Sequence, residues 1–154
     1  MPSLRWTPCR SSLPALAAGL FIVTSALACA TMPGHPMNGV LENRYWRLVE
    51  VRGKLALPTS GMSEAHLEFS ADSSRLSGAA GCNRISGPYT RNGERLVFGQ
   101  IMATRMACAD AQLNQQETDF LAALPLTNRH EVVTDTLRLF RDKERIATLI
   151  AVPR

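Results

Sequence analysis

Residues 76–87 read Leu-Ser-Gly-Ala-Ala-Gly-Cys-Asn-Arg-Ile-Ser-Gly, and residues 104–108 read Thr-Arg-Met-Ala-Cys. Three glycines in the first stretch leave its backbone free to adopt positive φ or to lie against another segment. Cys82 and Asn83 stand in the middle of that stretch. The pattern predicts a structured turn rather than a flexible linker, and the rest of the chain is interpreted around it.

The N-terminus has the features of a signal peptide in a chain of 154 residues, which is enough for one ordinary domain. Arg5 and Arg10 form a positive region, and residues 13–27 are 15 uncharged, mostly apolar residues. A membrane-spanning helix needs roughly 20 such residues. Ala26-Leu27-Ala28 fits the small-residue pattern of a cleavage site. We therefore predict a signal peptide at residues 1–28, with a retained membrane helix as the alternative.

Cys29 follows the predicted cleavage site directly. Residues 26–29 resemble a bacterial lipobox, in which the cysteine is lipidated, although Ala26 stands where Leu is usual. Ala30, rather than Asp, after the cysteine is similar to outer-membrane lipoproteins. We expect an exported protein in the periplasm, anchored to the outer membrane through Cys29. Ordinary cleavage after Ala28 or Ala30, which would release a soluble protein, is the alternative.

Residues 29–43 contain several prolines and glycines and are predicted to be a tether, so the domain is expected at residues 44–153. Removal of the leader takes away two arginines and no acidic residue, which lowers the formal charge from +4 to +2. The remaining charges alternate in sign and include no basic run of five or more. Nucleic acid is therefore not an expected partner.

The predicted domain keeps two cysteines, Cys82 and Cys108. Two thiols in an oxidising compartment indicate a disulfide. Two separately buried free cysteines are one alternative. A redox pair that cycles between thiol and disulfide is another, although the close CxxC spacing of dedicated oxidoreductases is missing.

Apolar alternation and turn residues predict short strands through most of the domain. These strands lie at residues 45–51, 65–70, 75–78, 88–91, 95–98, 130–134, 136–141 and 145–152. Asn92-Gly93 predicts a hairpin whose two central residues both tolerate positive φ. Trp46, in the first strand, is expected to anchor the core.

One segment, residues 110–124, has helical spacing instead. Asp110 is placed to cap its start and Pro125 to end it. Its apolar side chains, including Phe120, are expected on one face, opposite Glu117 and Asp119. The fold class is then mainly β (α+β). We predict a small antiparallel β-barrel-like fold with one amphipathic helix packed on it or plugging it, and with its first and last strands as neighbours.

Over residues 43–152 the chain resembles the META/HslJ-like domain family. The matching motif residues are Gly78, Gly81, Cys82, Asn83, Arg84, Gly87, Thr104, Arg105, Met106 and Cys108. The resemblance implies a small β-barrel-like domain with a helix, often carried by a bacterial envelope lipoprotein, and both cysteines appear in similar members. It implies associations with envelope stress, heat response and resistance, without an activity or ligand established for the class.

Cys82 has an alternative reading as a nucleophile, with His66 or His130 as its base and Asn83 as the orienting group. Nothing in the spacing enforces that arrangement. We favour Cys82 in a disulfide, Asn83 either in the left-handed region or bonded to nearby backbone, and both histidines on exposed strand faces.

A metal site would have to draw on Cys82, Cys108, His66 and His130, with His35 in the tether, and these residues have no CxxC or HxxxH spacing. We therefore predict no metal and no cofactor. The two arginines of the motifs, at positions 84 and 105, offer donors to an anionic envelope ligand. The alternative for both is an ordinary surface position.

The function we predict is that of an exported, non-enzymatic envelope protein with a role in envelope stress or maintenance. It would act by binding an unknown partner protein or a small ligand. A cysteine-dependent hydrolase or thiol oxidoreductase that uses Cys82 is the enzymatic alternative. A purely structural accessory module is the third.

Overall fold

The computed structural model describes residues 39–59 and 64–153. The predicted signal peptide, Cys29 and most of the tether lie outside the described residues. The strands are β1 (Tyr45–Val51), β2 (Lys54–Leu55), β3 (His66–Ser70), β4 (Arg75–Ala79), β5 (Arg84–Asn92), β6 (Arg95–Phe98), β7 (Met102–Ala103), β8 (Arg129–Val133), β9 (Thr136–Arg141) and β10 (Glu144–Val152). A helix, α1 (Ala111–Ala123), is followed by a 3-10 turn at Leu124–Leu126.

Eight of these strands close an antiparallel barrel in the order β10-β9-β8-β6-β5-β4-β3-β1, with β1 paired to β10. The two-residue strands β2 and β7 add to β1 and β5. Closure is uneven around the barrel. Six residue pairs join β1 to β10, whereas one pair, Arg95 with Arg129, joins β6 to β8. The predicted fold class is confirmed, and the first and last strands are neighbours as expected.

The core lies inside the barrel, because apolar side chains alternate inward along strands such as β1, β3 and β9. Trp46 is fully buried, as predicted, and its indole Nε1 donates a hydrogen bond to the Leu41 carbonyl oxygen at 2.8 Å. Leu41 is itself fully buried, and the Gly39 backbone N–H donates to the Val132 carbonyl oxygen at 3.0 Å. Residues 39–43, expected as the end of a tether, therefore pack against the barrel.

The glycine-bearing stretch is mostly strand rather than turn. β4 continues to Ala79 and β5 begins at Arg84, so the turn is confined to residues 80–83. A Cβ on Gly78 would lie 2.1 Å from the His66 carbonyl oxygen, so glycine is required by the close approach of β3.

The predicted hairpin is present, but its turn is displaced by one residue. Asn92 pairs with Arg95, which makes Gly93 and Glu94 the two central residues. Gly93 has φ of 58°, whereas Glu94 is absent from the residues with positive φ. A single positive φ at the first central position is the pattern of a type II′ turn.

Helix α1 begins where the sequence predicted. The Asp110 side chain accepts hydrogen bonds from the backbone N–H groups of Gln112 and Leu113, at 2.7 and 3.2 Å. The prediction that Glu117 and Asp119 face solvent is wrong, because both are buried. Among the described residues, no helix combines the length and the apolar character that crossing a membrane requires.

Candidate functional site

We call the turn at residues 80–83, together with residues 104–108, the cysteine corner. In the structure a disulfide joins Cys82 to Cys108, whose Cα atoms are 5.7 Å apart, within the range that disulfides span. This supports the predicted pairing. The bond ties the β4–β5 turn to the segment that leads into α1. In this form the Cys82 sulfur is bonded and is not a thiolate nucleophile.

Asn83 connects the two halves of the cysteine corner. Its side-chain Oδ1 accepts hydrogen bonds from the Thr104 hydroxyl at 2.9 Å and from the Met106 backbone N–H at 2.7 Å. Its Nδ2 donates to the Met106 carbonyl oxygen at 2.9 Å and to the Glu117 carboxylate. Asn83 is buried and does not have positive φ, so it bonds nearby groups rather than taking the left-handed conformation.

Glu117 belongs to the cysteine corner in the structure, and sequence reasoning did not place it there. Its carboxylate accepts from the Asn83 backbone N–H at 2.9 Å as well as from the Asn83 side chain. Within the described part of the chain it has no ion pair, although it is buried. The helical spacing indicates the burial of Glu117, because Leu113, Glu117 and Phe120 stand at i, i+4 and i+7 and share a helix face.

A second feature, which we call the outer groove, crosses the outer face of the barrel over β3, β4, β5 and β7. Its volume is about 800 Å³. The floor is made of small residues, namely Ser77, Gly78, Ala79 and Ser86. The floor lies deep because these residues carry little side chain.

The two sides of the outer groove differ in chemistry. On one side the rings of Tyr45 and His66 stack with centroids 4.4 Å apart, and the Tyr45 hydroxyl donates to the Glu64 carboxylate at 2.6 Å. On the other side lie Arg84 and Met102, both exposed. No hydrogen bond or ion pair occupies the Arg84 guanidinium among the described residues. The groove therefore has one side with two aromatic rings and the Glu68 carboxylate, and an opposite side with an available cation.

Thr104 lines the cationic side, and paired bonds hold it there. Its hydroxyl accepts from the Arg84 backbone N–H at 3.1 Å, and its own backbone N–H donates to the Arg84 carbonyl oxygen at 3.0 Å. The other motif arginine, Arg105, is exposed but does not line the groove. The structure thus places one of the two predicted anion-binding arginines at a concave surface.

The histidines do not lie where they were predicted. His130 is fully buried, and its Nδ1 is 2.9 Å from the Glu94 carbonyl oxygen, while its Nε2 has no hydrogen-bond partner among the described residues. Burial lowers the pKa of His130, and the hydrogen bond to Glu94 partly opposes that shift. His66 is half-buried against Tyr45. In the part of the chain that the structure describes, neither histidine hydrogen-bonds Cys82.

The possible metal ligands also group differently from the set considered in the sequence. Ligand atoms of Cys82, Cys108 and Glu117 lie within 4.8 Å of one another. Neither His66 nor His130 belongs to this cluster. The third member of the cluster is therefore the Glu117 carboxylate, whereas the sequence analysis considered histidines for that role.

Comparison with known proteins places these features in a family. A sequence model of the META domain matches residues 39–152. The solved structure of a protein from Burkholderia xenovorans, determined by NMR, is similar, with 25% identity, a TM-score of 0.60, and coverage of 80% of this chain and 100% of that one. A second NMR structure is 26% identical with a TM-score of 0.57, covering 71% of this chain and 90% of that one. No curated protein matches the sequence. The match of the META domain over most of the chain shows that this protein belongs to the META domain family.

Proposed function

We propose that this chain is a non-enzymatic binding protein of the bacterial cell envelope, and that its outer groove takes an anionic group of a partner protein or small ligand. The observation that carries the proposal is the exposed Arg84 guanidinium, without a partner among the described residues, at the side of a groove of about 800 Å³. Ligand pockets are commonly about 300–1,000 Å³. A guanidinium presents a planar fork of donors to a carboxylate or phosphate.

The stacked rings opposite Arg84 favour a ligand with an apolar part as well. Tyr45 and His66 offer a flat, half-buried surface, and Met102 is 58% exposed. The methionine is flexible and adapts its shape to what it contacts. The ligand we propose therefore has an anionic end for Arg84 and an apolar part for the rings.

The cysteine corner supports binding by holding the groove in shape before the ligand arrives. Thr104 is bonded to Asn83 and to the Arg84 backbone, and the disulfide holds the same segment at Cys108. A site that is already ordered loses less conformational entropy on binding. The disulfide is in this proposal a clamp, and the enzymatic use of Cys82 is not part of it.

The envelope location rests on the sequence. We propose export through the leader at residues 1–28 and anchoring to the outer membrane through Cys29. The disulfide fits an oxidising compartment. The family resemblance supports the assignment of the binding to envelope stress or maintenance.

Site-specific photocrosslinking tests the groove. A photoreactive benzoylphenylalanine replaces Ser86, on the groove floor, in cells that express the full chain. We expect one adduct of defined mass after irradiation, and we expect Arg84→Glu in the same chain to reduce it at least fivefold.

Thr90 is the matched control, because it lies on the same strand and is exposed but does not line the groove. It is about 13 Å from Ser86 along an extended strand. Equal adducts from both positions, or an adduct that Arg84→Glu does not change, would contradict the proposal.

A further inference from the structure

We propose that the Cys82–Cys108 pair, once reduced, forms a zinc site that Glu117 completes. None of its three ligands lines the outer groove, and it uses a chemical state of the cysteines that differs from the clamp described above. It requires a reductant of the dithiol class. The dithiol supplies two electrons and two protons to the S–S bond, which gives two thiols on this chain and a disulfide on the reductant.

The geometry already brings the three donors together. The two sulfurs and a Glu117 carboxylate oxygen lie within 4.8 Å of one another. Tetrahedral Zn²⁺ with Zn–S bonds of about 2.3 Å needs its sulfur ligands about 3.8 Å apart. With the Cα atoms 5.7 Å apart, rotation of the reduced side chains reaches that separation without moving the backbone.

The Glu117 carboxylate has no positively charged partner among the described residues. The residue is 7% exposed, and it has no ion pair among the described residues. A buried carboxylate is stabilised by hydrogen bonds and by a nearby positive charge. Asn83 supplies the hydrogen bonds, one to each carboxylate oxygen, and each oxygen keeps a lone pair for a metal. Zinc would supply the missing positive charge.

Asn83 would then be a positioning residue. Its amide fixes the orientation of the Glu117 carboxylate, as hydrogen-bond donors behind metal ligands commonly do. Zn²⁺ binding releases the two thiol protons to water. The resulting two thiolates and one carboxylate favour Zn²⁺ over Mg²⁺ or Ca²⁺, which prefer oxygen ligands only. Cys82 is half-buried whereas Cys108 is buried, so the metal would enter from the Cys82 side, with water as the fourth ligand.

Metal titration of the reduced chain tests the site. The full chain carries Cys9→Ser and Cys29→Ser, so that Cys82 and Cys108 are its only cysteines. It is reduced with dithiothreitol, desalted without oxygen and titrated with Zn²⁺, and with Cd²⁺ to observe the thiolate-to-metal absorption band. We expect one metal ion per reduced chain, and no such band from the oxidised chain.

Variants separate the three-ligand site from simple binding by two thiols. Glu117→Gln should weaken Zn²⁺ binding by at least about tenfold, since even outer-shell substitutions cost 10–100-fold. Asp119→Asn is the control, because Asp119 is a buried carboxylate on the same helix and lies outside the cluster. Cys82→Ser should abolish the Cd²⁺ band.

Two results would overturn the proposal. One is a reduced chain that binds Zn²⁺ no more tightly than its Cys82→Ser variant. The other is unchanged affinity in Glu117→Gln, which is also the result expected if the reduced chain unfolds and its free thiols bind the metal. Circular dichroism on the same samples tells a folded dithiol from an unfolded one.

Discussion

In the cysteine corner, the Asn83 side chain donates through Nδ2 and accepts through Oδ1 at the same time. It closes two hydrogen bonds with the Met106 backbone, which mimics the pairing of one more strand residue. An asparagine side chain is short and carries its donor and its acceptor on separate atoms, whereas a serine or threonine hydroxyl donates and accepts through one oxygen. The disulfide beside it fixes the distance between the segments, and the amide fixes their orientation.

Replacement of Asn83 tests this division of roles. Asn83→Ala leaves the Met106 N–H and carbonyl without their partner and removes a donor from buried Glu117. We expect the free energy of unfolding to fall by about 1–3 kcal/mol, because the buried Glu117 carboxylate loses a donor and an unsatisfied buried polar group costs about that much, whereas Met106 is exposed and water can replace its partner. Urea denaturation measures the loss. Asn92→Ala, at an exposed position, should change stability by less than about 0.5 kcal/mol.

His130 gives the protein a pH-dependent stability. Burial lowers its pKa below the ordinary value of 6.5, although the Glu94 hydrogen bond and the charge on Glu42 oppose the shift. The folded state therefore binds a proton less readily than the unfolded state. The contribution of His130 to stability is complete above pH 6.5 and is lost as the pH falls through the folded-state pKa, by at most about 1.4 kcal/mol per pH unit.

Urea midpoints between pH 7.5 and 5.5 measure this loss. His130→Leu should flatten the profile, since leucine does not titrate and the Glu94 carbonyl keeps its bond from the residue 130 backbone N–H. Parallel profiles for the wild type and the variant would show that other groups cause the pH dependence.

At the scale of elements, the disulfide joins the β4–β5 turn to the segment before α1 across a sequence separation of 26 residues. The segment between them includes the β5–β6 hairpin and β7, so the bond closes a loop around the cationic side of the outer groove. In the loop-entropy account, a closure of this length stabilises the folded state by about 3.5 kcal/mol.

Serine substitutions test the shared bond. Cys82→Ser and Cys108→Ser should each lower the free energy of unfolding by about 3.5 kcal/mol, and the double variant should be no less stable than either. Thermal or urea unfolding of the oxidised chains gives the comparison. Losses that add in the double variant would mean that the two cysteines stabilise the fold separately.

At the scale of the whole molecule, the barrel closes through β1 and β10, the first and last strands. Six residue pairs at that closure leave neither strand with a free long edge, which protects the protein from edge-to-edge association. The joint between β6 and β8 is the weak one, with a single pair, and His130 lies beside it. Closure thus depends on contacts between distant parts of the chain.

The location of the whole protein is testable through Cys29. If Cys29 carries a lipid, Cys29→Ser should abolish partitioning of the protein into detergent and lower its intact mass by more than the substitution alone. Cys9→Ser, within the predicted leader, should leave both unchanged. A wild-type protein that stays in the aqueous phase would exclude the anchor.

The sequence by itself determined the local elements. Alternating Leu67 and Phe69 predict an inward-facing strand, Asp110 predicts the helix start, and a glycine next to Asn92 predicts a hairpin. Each of these three predictions depends on residues close together in the sequence, because their spacing determines which side chains lie on the same face of a strand or helix. The predicted domain has two cysteines, Cys82 and Cys108, so one intramolecular pairing was open to them.

The tertiary structure alone decided the contacts between distant residues. Asn83 meets Glu117 across 34 positions, Leu41 fills the core below Trp46, and His130 lies inside rather than on an exposed face. A charged residue is expected to face solvent, because burial of a charge costs free energy unless hydrogen bonds or an opposite charge offset that cost. The partner of Glu117 is Asn83, which lies in the turn between β4 and β5. Its position relative to the helix is set by how the barrel closes, and no local sequence pattern predicts that.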